Sequence, residues 1–181
     1  MDLSIIENAR SISIVGNATS ILSLNFGKAI DSAEVVLRMN CGFPKSQIAQ
    51  GSRTDFLMFS VWDIYKASNY AMPLNRMAHI SIQDRQRSEK NGVINFYPAD
   101  LRAALFEKLG ASPSVGCSTL DWLSNFYTGE VNVYGYDFKK TTSFYQRFQH
   151  IGHHNYRAEQ KYVTELCNRK GWNYDACKNS R

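Results

Sequence analysis

No stretch of this 181-residue chain comes near the ~18 consecutive apolar residues that a membrane-spanning helix needs. The N-terminus, Met1-Asp2-Leu3-Ser4, lacks the basic region and apolar core of a secretory leader. The four cysteines, Cys41, Cys117, Cys167 and Cys177, lie far apart with no Cys-x-x-Cys pair, which reads as reduced, partly buried thiols of a cytosolic protein. No internal repeat, low-complexity tract or interdomain linker breaks the chain, so residues 1–181 read as a single domain, long enough for a substantial core. A charged content of 20% against 44% hydrophobic is the balance of a soluble globular protein. The net charge of +5 suits an anionic ligand, or peripheral association with an anionic membrane surface. No recognisable nucleic-acid motif accompanies that charge, so nucleic acid is not an expected partner.

What is present is an alternation of strand-like and helix-like segments. Ile12, Ile14 and Val15 are β-branched and stop at Gly16, the pattern of a buried strand meeting a tight turn. After Thr19 and Ser20, which can cap a helix, Ile21, Leu24, Ala29 and Ile30 recur at roughly helical spacing. Residues 35–39 are a second apolar run of strand length. Strand, turn, helix and strand make a βαβ unit with a right-handed crossover. Its first turn lies at the carboxyl edge of the sheet, where open α/β folds bind ligands. Residues 1–10 read as a lead-in helix or arm, 41–53 as a loop, and 54–59 as a third strand. Residues 61–70, with Trp62, Tyr65 and Tyr70, read as a helix or an aromatic-lined loop. Short strands are expected at 79–82 and at 93–97, the latter stopped by Pro98, with an exposed turn at 84–91. Helices are expected over 98–109, ending at Gly110, and from Ser114 to Tyr127. A strand at 131–136, a polar and aromatic loop at 137–153, a last helix at 155–169 and an edge strand at 172–176 complete the chain. The alternation argues for an open, largely parallel α/β sheet. A nicotinamide-dinucleotide Rossmann enzyme is not expected, because Gly16-Asn17-Ala18-Thr19-Ser20-Ile21 lacks the Gly-x-Gly-x-x-Gly pattern.

Two helix starts carry chemistry. Pro113-Ser114-Val115-Gly116 opens a helix directly after a loop, with Ser114 as the N-cap and Gly116 allowing close approach to the backbone. Free N–H groups and the positive dipole end make such a terminus an anion site, although any helix could begin this way. His154-Asn155-Tyr156-Arg157-Ala158-Glu159 precedes the last helix, with Asn155 as N-cap and Glu159 near the positive dipole end. A histidine just outside that terminus is favoured in its neutral form, which a general base requires; a plain surface histidine is the competing reading. His150, His153 and His154 could in principle gather a metal. No cysteine or carboxylate sits beside them at a familiar ligand spacing, so no metal is expected.

Residues 11–55 resemble the long sialylmotif of the eukaryotic-type sialyltransferases. The shared features are Val15-Gly16-Asn17, Gly27, Asp31 and Arg38-Met39-Asn40, followed by Gly51-Ser52-Arg53-Thr54-Asp55. Residues 113–136 are similar to the small sialylmotif, with Pro113-Ser114-Val115-Gly116 and Val131-Asn132-Val133-Tyr134-Gly135-Tyr136. Val115 stands where that motif has Thr. Residues 154–159 resemble the very small sialylmotif through the His154-x4-Glu159 spacing. A fourth family motif, a His followed by aromatics, corresponds to Ser143-Phe144-Tyr145-Gln146, which keeps the aromatics without the His. The positions of the family's disulfide between the long and small motifs fall near Ser11 and Thr128, so that bridge is not expected.

The resemblance implies a Rossmann-like domain of the variant GT-A type with a mostly parallel sheet. It implies an inverting glycosyltransferase that moves sialic acid, or a related acidic sugar, from CMP-sialic acid or CMP-Kdo to a hydroxyl of a glycan acceptor. No metal or other cofactor takes part, the leaving group being a monophosphate. The role of general base falls on His154, and nucleotide contacts fall on Gly16, Asn17, Asn40, Ser114, Val115, Gly116 and Gly135. Glu159 supports local structure. Tyr145, His150 and His153 are candidate phosphate or acceptor contacts, and Lys139 is a basic substitute for the missing His. A catalytically inactive CMP-binding relative is the reading from a different class. The expected setting is the cytoplasm, at the inner face of a bacterial membrane, in lipopolysaccharide or capsule synthesis.

Overall fold

The computed structural model describes residues 3–60, 76–80, 85–93, 96–148 and 152–174. Its centre is one six-stranded sheet, made of β1 (Ser11–Val15), β2 (Val35–Met39), β3 (Phe56–Phe59), β4 (Met77–His79), β5 (Glu130–Tyr134) and β6 (Asn173–Tyr174). The order is β4-β3-β2-β1-β5-β6, and every pairing is parallel. The chain therefore runs outward from β1 to β4, then returns to lay β5 on the other side of β1. That reversal opens a crevice at the carboxyl ends of β1 and β5.

A parallel sheet is covered on both faces, so its strands read as continuous apolar runs rather than alternating ones. β2 and β3 are buried at every position. On one face Ile12, Ile14, Leu37, Met39, Phe56, Met58, Val131 and Val133 join the main core. The helices Ala99–Leu109, Val115–Ser124 and Tyr156–Lys170 cover it through Leu105, Leu120, Leu123, Val163 and Leu166. Each such fully buried aliphatic side chain stabilises the fold by about 1.5–3 kcal/mol before entropy is counted. On the other face Val15, Val36 and Tyr134 meet Ile21 and Ile30. Arg38 is also there, fully buried, donating to the carbonyls of Arg53 (2.9 Å) and Gln50 (2.7 Å) and to the Thr54 hydroxyl (3.0 Å). Asp31 pins the same loop by accepting from the Ser52 and Arg53 N–H groups.

The parallel α/β architecture follows the sequence expectation, and the helices near 98–109, 114–127 and 155–169 occur with shifts of a few residues at their ends. Other segments differ. The run from Thr19 to Ser32 is not one helix but a 3-10 turn, Thr19–Ser23, and a separate helix, Gly27–Ser32. The two hydroxyls that could have capped it are used elsewhere: Thr19 donates to the Thr142 carbonyl (2.7 Å) and Ser20 to Asp137 (3.2 Å). The loop over 41–53 contains a one-turn helix, Gln47–Gln50, capped by Ser46. Residues Arg85–Lys90 form a helix rather than an exposed turn, supported by an Arg85–Glu89 pair one turn apart. β4 begins two residues earlier than expected. At 93–97 the described residues show only a single bridge, His79 to Phe96. The reading of 61–70, and residues 81–82, 94–95 and 175–176, fall outside the described residues.

Candidate active site

The crevice at the β1/β5 reversal deepens into a cavity of about 710 Å³. That is within the usual range for small-molecule sites, about 300–1,000 Å³. Its floor is the crossing of two backbones. The Gly16 N–H donates to the Tyr134 carbonyl (2.7 Å), and a Cβ on Gly16 would lie 2.4 Å from the Gly135 carbonyl oxygen. Gly135 itself has φ 67°, in the left-handed region, and a Cβ there would lie 2.9 Å from the Gly16 carbonyl oxygen. Only glycine at both positions lets the turn after β1 and the turn after β5 touch, and this contact sets the depth of the cavity.

Two asparagines rise from the strand ends on this floor. Asn17 donates to the Met39 carbonyl (3.0 Å), while its side-chain oxygen is buried without a hydrogen-bond partner among the described residues. Asn40 has φ 50°, a conformation that asparagine tolerates, and accepts from the Ser60 N–H (3.1 Å). The phenol of Tyr145 lies against Asn17, Asn40 and Ser143. Burial and the nearby Cys41 thiol raise its pKa, while those three contacts act in the opposite direction.

The opposite wall is the start of the helix Val115–Ser124. Ser114 is its N-cap and accepts from the Cys117 N–H (3.2 Å). Its own N–H and hydroxyl are already engaged, donating to the two carboxylate oxygens of Glu159 at 2.7 and 2.6 Å. Glu159 is 1% exposed. Burial raises its pKa, opposed by both Ser114 hydrogen bonds and by His154. The N–H groups of Val115 and Gly116 take no partner among the described residues and remain for an incoming oxyanion. A Cβ on Gly116 would lie 2.8 Å from the Tyr136 ring, so this glycine also makes room for Tyr136.

His154 faces the cavity from the start of the helix Tyr156–Lys170. Asn155 caps that helix by accepting from Ala158 N–H (3.1 Å), and donates to the Leu109 carbonyl (3.2 Å). The Nδ1 of His154 lies 2.7 Å from the Ser112 carbonyl oxygen. A carbonyl can only accept, so Nδ1 carries the hydrogen, and in the neutral ring Nε2 keeps its lone pair. Tyr156 packs edge-on against the same imidazole with ring centroids 5.5 Å apart.

The loop after β5 forms the last wall. Phe138 and Lys139 are consecutive non-glycine residues at positive φ, 54° and 63°. This costly backbone is held by Asp137, which accepts from the Thr141 N–H and hydroxyl and from Ser20. Lys139 donates to the Ser143 hydroxyl (2.8 Å) and to Gln146 (3.3 Å). Its pKa is lowered by burial, against the attraction of Asp137.

The cavity thus brings together Gly16, Asn17, Asn40, Ser114, Val115, Gly116, Gly135, Tyr145, His153 and His154. His150 lies outside the described residues. Among the described residues no cluster of three or more His, Cys, Asp or Glu is placed to hold a metal. Sequence reasoning missed Arg102 and Tyr156 as wall residues, and the work of Asp137 and Ser112 in shaping the walls. Arg102 sits on a helix whose apolar period marks only its core-facing side, so the sequence carries no signal for its polar face.

The model of glycosyltransferase family 29 (sialyltransferase) matches residues 6–87. No curated protein matches the chain. Two solved structures of a mammalian sialyltransferase are similar to it. One, in complex with Gal-beta-1-3GalNAc-ortho-nitrophenol, is 18% identical with a TM-score of 0.65. The other is 17% identical with a TM-score of 0.66. In both cases the match covers 91% of this chain and 68% of that chain. At this identity the likeness speaks for the fold, a GT-A-like α/β arrangement. The family match ends before Ser114 and His154, so the second half of the site rests on its geometry.

Proposed function

We propose that the chain is a member of glycosyltransferase family 29 (sialyltransferase), whose model matches residues 6–87, and that it transfers an acidic sugar from a CMP-sugar to a glycan hydroxyl, with His154 as general base. The observation that carries this reading is the fixed tautomer of His154. Its Nδ1 is committed to Ser112, and its Nε2 is free to accept a proton within the cavity that holds the long-motif asparagines.

Each wall has a part in the reaction. Asn17, with its unsatisfied side-chain oxygen, and Asn40 are positioned to meet donors on the nucleoside. The phosphate of CMP lies at the Val115 and Gly116 N–H groups, with Lys139 as the second source of positive charge in place of the family's missing histidine. The acceptor hydroxyl gives its proton to Nε2 of His154. Its oxygen forms the new bond to the anomeric carbon from the face opposite the phosphate. The bond from the anomeric carbon to the phosphate oxygen breaks, and CMP leaves with the electron pair. One displacement inverts the anomeric centre. Positive charge in the ring and negative charge on the phosphate both grow in the transition state, where preorganised N–H groups stabilise the latter most.

Release of CMP from CMP-sialic acid and from CMP-Kdo, measured with EDTA present, tests the reading. The wild type is expected to release CMP from one donor, and His154→Ala to lose at least ~100-fold of that rate. Equal rates in the two proteins would remove His154 from the role of base. Binding of CMP by calorimetry without release from either donor, across a panel of glycan acceptors, would favour the inactive CMP-binding relative.

A further inference from the structure

We propose that Arg102 holds the carboxylate of an acidic sugar against His154. The assignment rests on the glycosyltransferase reading above and deepens it by naming what the cavity selects.

Arg102 lies in the first turn of the helix Ala99–Leu109, with its backbone N–H on the Pro98 carbonyl (3.0 Å). Its side chain reaches the cavity and donates through Nη2 to the Ser112 hydroxyl (3.1 Å). The carbonyl of the same Ser112 holds Nδ1 of His154. One residue therefore holds both the guanidinium, through its hydroxyl, and the imidazole, through its carbonyl.

Four other arginines have partners that explain them. Arg10, Arg53 and Arg85 pair with Glu34, Asp55 and Glu89, and Arg38 is buried among carbonyls and a hydroxyl. Arg102 pairs with no carboxylate among the described residues, although it keeps further N–H donors in a planar fork. That fork matches a carboxylate, and in a partly enclosed cavity the pair is worth more than at the surface.

The reaction geometry says where a carboxylate would be. In a 2-keto-acid sugar such as sialic acid or Kdo, the carboxylate carbon is bonded directly to the anomeric carbon. The acceptor oxygen bonded to Nε2 of His154 attacks that same carbon. The carboxylate therefore lies a few bond lengths from the imidazole, the region where Ser112 holds Arg102. Such a donor carries two anionic groups. Lys139, the helix N–H groups and Arg102 all line the cavity, so two anions can each meet a positive partner. An acceptor that carries a carboxylate beside its reacting hydroxyl would meet the same guanidinium, and the test separates the two sources.

Wild type, Arg102→Gln and Arg102→Lys are titrated with CMP and with CMP-3-fluorosialic acid, a transfer-resistant donor analogue. Transfer is then measured to lactose and to sialyllactose. Thermal unfolding checks the fold, and Arg102→Lys keeps the charge if Arg102→Gln proves unstable. CMP affinity is expected to stay within about twofold in all three proteins. A donor carboxylate predicts that Arg102→Gln weakens the analogue by about 10- to 100-fold, with only partial recovery in Arg102→Lys. An acceptor carboxylate predicts unchanged analogue binding and a similar rise in KM for sialyllactose but not lactose. Equal weakening of CMP and the analogue overturns the assignment, as do variants indistinguishable from wild type in all four readings. A wild type that does not bind CMP overturns the functional reading itself, which a negative Arg102 result alone does not.

Discussion

Replacing Glu159 tests how the two halves of the site are joined. The carboxylate belongs to the helix that follows His154, and both of its oxygens accept from Ser114, the N-cap of the helix that offers N–H groups to the cavity. Each bond is charge-assisted and worth about 1.5–3 kcal/mol. Against them stands the cost of burying a carboxylate, several kcal/mol in the opposite direction. Glu159→Ala removes that cost together with both bonds, but leaves the Ser114 N–H buried without a partner and a void behind it. The expected net loss is about 3 kcal/mol. For a chain of this length that corresponds to a fall in Tm of about 6–12 °C. Glu159→Gln keeps the shape and one acceptor, so it should lose only about 1 kcal/mol. Thermal unfolding followed by circular dichroism near pH 7 distinguishes them. An alanine variant within about 2 °C of wild type would mean that Ser114 and Glu159 do not couple the two helices.

The same pair of proteins gives a pH test with a definite sign. Burial makes Glu159 hold its proton to a higher pH in the folded protein than the unfolded reference of 4.5. Between those two values the folded state retains a proton that the unfolded state has lost. Stability from this group is therefore largest below about pH 4.5 and declines as the pH rises through the raised value. Glutamine has no proton to lose. The Tm advantage of wild type over Glu159→Gln should shrink from about pH 4 to about pH 7, and an advantage that grows over that range would refute the burial argument.

Two further outcomes follow from packing and exposure. Gly16→Ala places a Cβ 2.4 Å from the Gly135 carbonyl oxygen and should cost more than about 3 kcal/mol, whereas Gly110→Ala, at φ 64° with no atom within 4 Å, should cost about 1 kcal/mol. Urea unfolding of both variants checks this, and equal losses would show that the strand-end crossing is not tightly packed. Burial raises the Cys167 thiol to about 11, and burial with the Glu159 and Asp121 charges also raises the Cys117 thiol well above its ordinary value, while Cys41 is half-buried on the cavity wall. In a Cys177→Ser background near pH 8, one thiol should therefore react quickly with an aromatic disulfide reagent and two only on unfolding. Bound CMP should slow the quick one, and CMP without effect would place the nucleotide elsewhere.

What the sequence made legible follows from where burial is uniform. β1, β2, β3 and β5 stand in the middle of a sheet covered on both faces, so their apolar runs need no long-range information to be read. The helices Ala99–Leu109 and Tyr156–Lys170 end at Gly110 and Gly171, both left-handed, and such stops are local chemistry. The region after β1 was misread because its deciding partners are remote. Thr19 and Ser20 had the composition of caps, but Thr142 and Asp137, more than a hundred residues away, claim their hydroxyls. The helix Arg85–Lys90 has no apolar period to show itself, and its charged pair carries too little signal to be read as a helix.

The site divides in the same way. Asn17, Asn40 and the Ser114–Gly116 turn could be placed in advance because they occupy the ends of strands and helices, which the period of the flanking residues fixes. Arg102 could not, since its position depends on which way a helix faces and on a serine ten residues later that it reaches only in the folded chain. Ser112 shows the point most clearly. Its side chain receives Arg102 and its carbonyl receives His154, so one loop residue with no motif of its own ties an imidazole and a guanidinium to the same point. Motif residues at strand and helix ends recur at fixed backbone positions, which the flanking pattern reveals. Arg102 and Ser112 meet through side chains converging from separate elements, and that convergence becomes visible only when the helices are packed.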